Sequence, residues 1–303
     1  MDRFDALVIF IAVAEQGSFI GAARKLGRSP ASVTRAIAEL EDRVSIRLLN
    51  RTTRSVALTD AGARYLEHSR RLLSDFEDME TSLDDEARTP KGLLTLTAPV
   101  VFGRLHVMPI VHRYLHEYPS TQVSAFFLDR VVSIVDEGID LAIRIGHLPD
   151  SSLQAIRVGS VKRVICASPS YLSLNGTPRT PRDIDEHGII AVTGINQTPN
   201  RWSFSENGAT ITLSAKARLT VNSIQVALDA AVAHGGLTSL LSYQTAELEQ
   251  QGQLVRVLTD FEPPAVPIHI VHPSGHHLSL KVRRFIDMAA ASLRQSFGEG
   301  PFH

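Results

Sequence analysis

The sequence has few of the features that mark secreted or membrane proteins. It contains one cysteine, Cys166, in 303 residues, so no disulfide can form within the chain, which is typical of a reducing compartment. The apolar run "ALVIFIAVA" at residues 6–14 is too short to span a bilayer. Residues 1–5 include two Asp and one Arg, whereas a secretory leader begins with net positive charge. We therefore expect a soluble, cytoplasmic protein with no membrane segment.

An excess of charge of either sign is also lacking, since the formal net charge is −1. With 44% hydrophobic and 21% charged residues, the composition is that of a globular protein, and the length suggests about two domains. The local charge is more informative. Residues 18–56 hold eight basic and three acidic residues, whereas residues 75–86 hold seven acidic residues and no basic one. The basic segment indicates contact with a polyanion through one small region.

The sequence lacks several motifs of catalytic and metal sites. There is no G-x-S-x-G, P-loop or G-x-G-x-x-G. Cys166 lies in the apolar run "VKRVICAS", which favours a buried small hydrophobe over a reactive thiol. Neither the pair His112 and His116 nor the group that begins at His269 has a Cys or carboxylate that completes a recognised ligand motif. We predict no catalytic residue, no cofactor and no metal site.

Short helical patterns separated by glycine stand near the N-terminus. A first helix over residues 2–16 ends at Gly17, and a second begins with Ser18 as its cap and closes at Gly27. A serine followed by proline at residues 29 and 30 is a start signal for a third helix. This helix extends to about residue 44. Its apolar positions, spaced by four, three and four residues, predict one buried stripe of Val33, Ile37, Leu40 and Val44.

The exposed first turns of this third helix carry Ala31, Ser32, Thr34 and Arg35. Small side chains let a helix sit deep in the major groove of DNA, Ser and Thr can bond to bases or phosphates, and Arg can bond a guanine edge. Two short helices joined by a tight turn, with another packed behind them, are typical of a helix-turn-helix. An ordinary three-helix bundle with a solvated basic face would show the same pattern.

The segment "IRLLNRTTRSVALTDAG" at residues 46–62 has no helical pattern. A turn at residues 50–53 is flanked by "RLL" and "SVAL", which predicts a short two-stranded wing with two arginines at its tip. Such arginines bind phosphates or enter the minor groove. The predicted DNA-binding residues are Arg28, Ser29, Pro30, Ala31, Ser32, Thr34, Arg35, Arg51 and Arg54.

The motif "FIAVAEQGSFIGAARKLGRSPASVTRAIAELEDRVSIRLLNRTTRSVALTDAG" at residues 10–62 resembles the LysR-type bacterial transcriptional regulators, and the resemblance extends over the whole chain. "RIGHLPDSSL" at residues 144–153 resembles one branch of that family. The family often has Gln where Ser29 stands and Ser where Thr34 stands, departures that bear on base preference and not on the docking mode. The resemblance implies binding to double-stranded DNA and to a small effector, assembly as a homodimer to homotetramer, and RNA polymerase as a further candidate partner.

A long helix follows the wing, capped by Thr59 and ending near residue 87. Its apolar positions are spaced alternately by four and three residues, as in a heptad seam that is imperfect at one serine: Tyr65, Ser69, Leu72, Phe76, Met79 and Leu83. A single amphipathic helix lying on its own domain would explain the same seam. The family resemblance favours a dimerisation helix, with a hinge at "ARTPKG", residues 87–92.

From residue 93 onward, strand and helix patterns alternate, which predicts an open α/β architecture. One lobe has the strands "LLTLTAPV", "QVSAFFL" and "DLAIRIG" and the helices "GRLHVMPIVHRYLHEYP" and "VVSIVDEG". A second lobe has the strands "VKRVICAS", "GIIAVT" and "LTSLLS" and the helix "SIQVALDAAVAHG". The strand "VPIHIVHP" and the helix "LSLKVRRFIDMAAASLRQSF" return to the first lobe. This order is similar to the type 2 periplasmic-binding-protein fold that LysR-type regulators use to sense effectors.

In such folds a ligand binds between the lobes, where strand ends meet helix N-termini. Free backbone N–H groups at the helix that starts near residue 100 would favour an anion, and by resemblance the ligand is a small metabolite, often a carboxylate. Ordinary capping or strand-end bonding is an equal alternative for each residue. The predicted effector-binding residues are Thr97, Pro99, Val100, Phe102, Arg144, Gly146, His147, Thr193, Asn222 and Ser223.

We therefore expect an all-α winged helix-turn-helix followed by a two-lobed α/β effector domain, in a sequence-specific transcriptional regulator without enzymatic activity. One alternative is the solute-binding protein of a transporter, against which the basic N-terminal segment and the missing leader argue. Another is an enzyme that acts on a small acid in the cleft, for which the sequence offers no nucleophile or acid–base pair. The predicted domains are residues 1–59 for DNA binding, 60–89 for linker and hinge, and 90–303 for effector binding, with lobe I at 90–161 and 266–303 and lobe II at 162–265.

Overall fold

The computed structural model describes residues 2–51, 56–82, 89–130, 132–148, 153–193, 201–274 and 278–298. The chain forms two compact units, an N-terminal unit of Met1–Leu93 with His277–Lys281 and a C-terminal unit of Leu94–His276 with Val282–His303. Within the described ranges, no helix has the length and apolar character needed to cross a membrane.

The N-terminal unit begins with three helices whose ends follow the predicted caps. They are α1 (Arg3–Gln16), α2 (Phe19–Lys25) and α3 (Pro30–Val44). Gly17 ends α1 in the left-handed conformation, with φ of 55°, which glycine adopts without strain. The Ser18 hydroxyl accepts a hydrogen bond from the Gly21 amide at 3.2 Å, and the Ser29 hydroxyl accepts one from the Ser32 amide at 3.2 Å. Local sequence therefore sets where these helices begin and end.

The core of this unit joins the three helices to a two-stranded wing and a long helix. The wing consists of β1 (Leu49–Arg51) and β2 (Val56–Leu58), paired antiparallel, and it is followed by α4 (Asp60–Ser82). Ile9, Phe10 and Ile37 are fully buried in this core. Gly62 allows α4 to approach the preceding segment, since a Cβ there would lie 1.9 Å from the carbonyl oxygen of Leu48. The predicted two-stranded wing is thus confirmed.

The seam of α4 packs on its own domain along the residues that the structure describes. Tyr65 meets the edge of Phe10 at a ring separation of 5.4 Å, and Phe76 lies 4.7 Å from Phe4. The hydroxyl of buried Ser69 donates to the carbonyl of Tyr65, within the same helix. The interpretation of α4 as an amphipathic helix lying on its own domain therefore accounts for this part of the seam. The end predicted near residue 87 lies outside the described residues.

The C-terminal unit contains two five-stranded sheets and a hairpin. The first part comprises β3 (Gly92–Ala98), α5 (Val100–Phe102), a π-helical segment (Gly103–Val107), α6 (Met108–Glu117), β4 (Thr121–Phe127), β5 (Leu141–Ile145) and β6 (Leu153–Val161). The middle part comprises β7 (Arg163–Ala167), α7 (Pro169–Asn175), β8 (Ile189–Val192), β9 (Arg201–Glu206), β10 (Ala209–Ser214), β11 (Ala217–Val221), α8 (Ile224–Val232), β12 (Leu237–Leu241), α9 (Ser242–Gln250) and β13 (Val255–Val257). The last part comprises β14 (Val266–Pro273) and α10 (Leu280–Phe297).

The strand order divides this unit into two lobes. Lobe I has the sheet β4-β3-β5-β14-β6, and lobe II has the sheet β11-β8-β12-β7-β13. Strand β14 pairs antiparallel with both β5 and β6, which confirms that the late strand returns to the first lobe. The chain therefore passes between the lobes twice, after Val161 and before Val266. Strands β9 and β10 form a separate hairpin that brings Trp202 and Phe204 to the core of lobe II.

One predicted helix was wrong. The segment "VVSIVDEG" forms turns, not a helix, over its described residues. The Glu137 amide donates to the Ser133 carbonyl at 3.0 Å, as in one turn of a helix, but Gly138 then takes a positive φ of 66°. The Ser133 hydroxyl donates to Asp136 at 2.6 Å. The apolar pattern is too short for stable helix propagation, and local side-chain bonds replace it.

The single cysteine is fully buried in the sheet of lobe II. Cys166 on β7 stands between Thr238 on β12 and Arg256 on β13 in the strand register. Burial raises the pKa of its thiol to about 12. The nucleophilic thiolate is therefore scarce at neutral pH, and the interpretation of Cys166 as a buried hydrophobe is confirmed.

We expect Cys166 to resist thiol reagents in the folded protein. The rate of reaction with a disulfide reagent such as DTNB measures this, because only opening of lobe II exposes the sulfur. One thiol per chain should react at once in denaturant and only slowly in native buffer. Rapid stoichiometric reaction without denaturant would contradict the burial.

Candidate functional site

The first turns of α3 form an exposed surface of small and basic side chains. The predicted residues from position 28 to 35 are all exposed, while Val33 between them is fully buried. The Thr34 hydroxyl donates to the Pro30 carbonyl at 2.9 Å, which leaves its methyl group and oxygen at the surface. Arg35 has no hydrogen bond or ion pair to any residue that the structure describes. This surface can enter a DNA groove without rearranging the core.

Arg28 has a different environment from the rest of the predicted set. Its guanidinium pairs with both carboxylate oxygens of Asp5, at 2.8 and 2.5 Å. This bidentate pair joins the turn before α3 to the first turn of α1. The positive charge of Arg28 is thus already compensated within the protein.

The wing is tied to α3 by one carboxylate. Glu41 accepts hydrogen bonds from the backbone amides of Leu48 and Leu49, at 2.8 and 3.0 Å. The register then places Arg51 opposite Val56 at the far end of the wing. Only the backbone of Arg51 is described, and Arg54 lies outside the described residues. Sequence reasoning did not identify the role of Glu41, because its partners are on another element.

We expect Glu41→Ala to loosen the wing. Two backbone amides would lose their acceptor, at a cost of about 2–4 kcal/mol in the local opening free energy. Hydrogen exchange of residues 47–51, measured by mass spectrometry, reports this opening. Glu39→Ala, at an exposed position two residues earlier on α3, is the matched control. Equal protection of the wing in both variants would contradict the assigned role of Glu41.

A cavity of about 410 Å³ lies between lobes I and II of the C-terminal unit, near the lower end of the roughly 300–1,000 Å³ range of ligand sites. The ends of β3 and β5 line it from lobe I, and the ends of β8 and β12 line it from lobe II, together with Asn222, which follows β11. Seven of the predicted residues line this cavity: Thr97, Pro99, Arg144, Gly146, His147, Thr193 and Asn222.

Three predicted residues lie outside the lining. Phe102 is fully buried and packs edge-on against Tyr243, with ring centroids 5.2 Å apart. Ser223 precedes α8 and makes no capping bond with its side chain. The backbone amide of Val100 is held by Asp129, whose carboxylate accepts its hydrogen bond at 3.0 Å. The expectation that this amide is free for an anion was therefore wrong, because the protein supplies the carboxylate itself.

The threonines of the lining use their hydroxyl protons within the fold. Thr97 donates to the Phe126 carbonyl at 2.7 Å, and Thr193 donates to the Val221 carbonyl at 3.4 Å. These are the strand-end bonds that were the alternative interpretation of both residues.

Two arginines of lobe I also have partners. Arg130 pairs with Glu137, with two contacts of 3.1 Å. Arg144 donates to the Val132 carbonyl at 2.5 Å, and burial lowers the pKa of its guanidinium. The charge of Arg130 is compensated, and Arg144 stabilises the turn that follows β4.

The lobe II wall includes residues that sequence reasoning missed. Arg163, Ser239, Tyr243 and Gln244 line the cavity from the start of β7, from β12 and from the start of α9. The only signal in the sequence was a charged residue inside the apolar run that forms β7. Because these positions are distant along the chain, the fold alone brings them to one wall.

The described architecture, a winged helix-turn-helix and a two-lobed α/β unit with a ligand-sized cavity, defines an effector-responsive transcriptional regulator. Two family models match the chain: "Bacterial regulatory helix-turn-helix protein, lysR family" over residues 4–63 and "LysR substrate binding domain" over residues 87–294. The chain belongs to the LysR family of transcriptional regulators.

Named relatives agree along nearly the full length. The chain is 32% identical over 284 residues to the probable HTH-type transcriptional regulator LtrA of Klebsiella pneumoniae, covering 93% of this chain and 92% of the relative. The full-length structure of the Vibrio cholerae virulence activator AphB is similar, with a TM-score of 0.61, 28% identity and coverage of 96% and 99%. CrgA, a LysR-type regulator from Neisseria meningitidis, gives a TM-score of 0.62 at 25% identity, with coverage of 95% and 98%.

Proposed function

We propose that the chain binds a partly palindromic operator through α3 and the wing, under the control of a small anionic effector. The observation that supports this proposal most strongly is the exposed first turns of α3, where Arg35 stands among small side chains without a partner in the described part of the chain. Ala31, Ser32, Thr34 and Arg35 are proposed to contact bases. Arg51 and Arg54 are proposed to contact the DNA backbone. Arg28, already paired with Asp5, is proposed to orient the turn before α3 and to carry little of the base readout.

The proposed assembly is a homodimer, or a tetramer built from two dimers. Beside the contacts of α4 with its own domain, apolar side chains stay exposed along one side: Leu72 is 55% exposed, Phe4 42% and Val8 38%. A second copy of α4 is proposed to cover them. A dimer presents two recognition helices to two half-sites, which a partly palindromic operator requires.

The proposed organisation assigns residues 1–59 to DNA binding, 60–89 to the linker and 90–303 to effector binding. The seven cavity-lining residues predicted from the sequence, together with the lobe II wall, form the proposed effector site. Effector binding is proposed to change the arrangement of the lobes and thereby the occupancy or bending of the operator. We further propose a cytoplasmic location, contact with RNA polymerase at the promoter and no catalytic activity.

The first test is a footprint on the DNA upstream of the gene, with wild type and Arg35→Ala. Loss of one base contact should cost about 1–3 kcal/mol of specific binding and relax the sequence requirement. Arg43→Ala, in the last turn of the same helix, is the matched control and should retain the footprint. Equal loss in both variants would indicate a general charge effect, and an unchanged Arg35→Ala footprint would contradict the proposed base contact.

The dimer is tested with Leu72→Glu. A charge placed in the proposed apolar seam should shift the chain towards monomer in sedimentation velocity and weaken operator binding, because the two half-sites are then bound separately. The control is Leu174→Glu, at a residue 82% exposed on lobe II. Leu72 is largely exposed within one chain, so both variants should fold. An unchanged assembly state of Leu72→Glu would contradict a seam at this position.

A further inference from the structure

The lobe II wall of the cavity contains a guanidinium without a counter-charge. Arg163 stands at the first position of β7 and lines the cavity. Its guanidinium forms no hydrogen bond or ion pair with any of the residues described. Burial lowers the pKa of this guanidinium, and the nearby Tyr243 partly offsets that effect. A partly desolvated cation that lacks a partner is costly to a protein, so its position in a ligand-sized cavity requires an explanation.

A second unused donor lies beside it. The phenol oxygen of Tyr243 accepts a hydrogen bond from the Gln244 side-chain amide at 3.0 Å. Gln244 is itself held, because its carbonyl oxygen accepts the Leu241 amide at 2.8 Å. Since the phenol oxygen already accepts a bond, its own proton is left to donate, and no acceptor for that proton occurs among the described residues. Burial raises the pKa of Tyr243 well above its usual value, so the group stays a protonated donor.

The other arginines and the carboxylate of the lining differ in their partners. Arg130 is paired with Glu137, whereas Arg144 donates to the Val132 carbonyl and Asp129 accepts the Val100 amide. Because Arg144 and Asp129 carry opposite charges, these groups together leave one positive charge in excess, and Arg163 and Tyr243 present it with unused hydrogen-bond donors. Their complement is an acceptor that carries a single negative charge. A carboxylate fits, because its two oxygens match the fork of a guanidinium and can accept a third bond from a phenol.

The rest of the cavity is suited to an uncharged body. Apolar side chains line it from both lobes, among them Leu128, Ile143, Val192, Ile224 and Leu240. A second carboxylate on the ligand would exceed the one positive charge in excess and would be desolvated among these apolar groups, at a cost in free energy. The wall thus favours one anionic head over two.

We propose that Arg163 and Tyr243 form the anion-binding subsite of the effector cavity and select ligands with one carboxylate and an apolar body. This inference rests on the proposed function for its regulatory meaning, while the subsite itself is a property of the C-terminal unit. Tyr243 also packs on Phe102 and His106 of lobe I, with ring centroids 5.2 and 5.7 Å apart. A carboxylate bound to its hydroxyl therefore acts at a contact between the lobes.

The test measures the thermal stability of the full-length chain in buffer free of carboxylate and phosphate, at constant ionic strength. The probes are benzoate and butyrate, their uncharged amides benzamide and butyramide, and the dianions succinate and phosphate. Benzoate or butyrate should raise the Tm by mass action, and the amides and dianions should have little effect. Equal shifts from an amide, tighter binding of either dianion, or no shift from any carboxylate would overturn the proposed ligand class.

Three variants test the residues. Arg163→Met keeps the length of the side chain but removes the charge, so carboxylate affinity should fall at least about tenfold while the ligand-free Tm stays equal or rises. Tyr243→Phe keeps the ring and should weaken binding by about three- to tenfold. Arg130→Met is the matched control, because it removes a cation of the same cavity that is already paired with Glu137. This variant should bind carboxylates with the affinity of wild type. If Arg163→Met lowers the ligand-free Tm but leaves carboxylate affinity unchanged, the residue has a structural role and the assignment is overturned. An equal loss of carboxylate affinity in Arg130→Met would also overturn it.

The operator footprint separates this inference from the proposed function. Arg163→Met should still protect the operator without ligand, because the variant leaves α3 and the wing unchanged, and it should lose only the response to the carboxylate. A protein that binds benzoate through Arg163 but protects no operator would contradict the proposed function and leave the subsite standing. A protein that protects the operator but binds none of the carboxylates would contradict the subsite and leave the proposed function standing.

Discussion

The bond between Glu41 and the two amides of the wing is the contact on which the DNA-binding surface depends. The carboxylate belongs to α3, and its acceptor atoms hold Leu48 and Leu49 at the start of β1. Buried amides without an acceptor are costly, so this one side chain stabilises the position of the wing beside α3. The close approach at Gly62 then sets α4 against the same segment. Helix α3, the wing and α4, which contact DNA or a second chain in the proposed assembly, are thereby held together by a few short contacts.

In the C-terminal unit, the return of β14 has the corresponding role. Because β14 inserts between β5 and β6, the chain connects the two lobes by two short segments that run side by side. The strand ends of both lobes then face a common cavity, as is usual for ligand sites in open α/β sheets. Two short connections also allow the lobes to move as bodies about a hinge. A ligand that touches both walls therefore has differential affinity for their arrangements, which effector control requires.

The ligand preference of the cavity depends on which of its polar groups already have hydrogen-bond partners within the protein. Thr97 and Thr193 are predicted effector-binding residues, yet each donates its hydroxyl proton to a backbone carbonyl. The Asp129 carboxylate, which also lines the cavity, accepts the Val100 amide. Arg163 and Tyr243 look unremarkable in the sequence, yet they retain donors that face the cavity. Selectivity for a ligand depends on such unused donors, since a buried donor that stays unpaired is costly and a matched ligand removes that cost.

The sequence by itself determined the local features: the caps at Ser18 and Ser29, the left-handed end at Gly17, the buried stripe of α3 and the alternation of strands and helices. These follow from preferences of a residue and its neighbours within one or two turns, so short segments contain the necessary information. The turns that replace the predicted helix after residue 131 show the limit of this reasoning, because a short apolar pattern cannot tell a helix from a turn. Tertiary structure alone decided that Asp129 occupies the Val100 amide, 29 residues away, and that Arg163 and Tyr243 share one wall. Such pairings depend on how sheets and crossovers bring distant residues together, and no local preference encodes them.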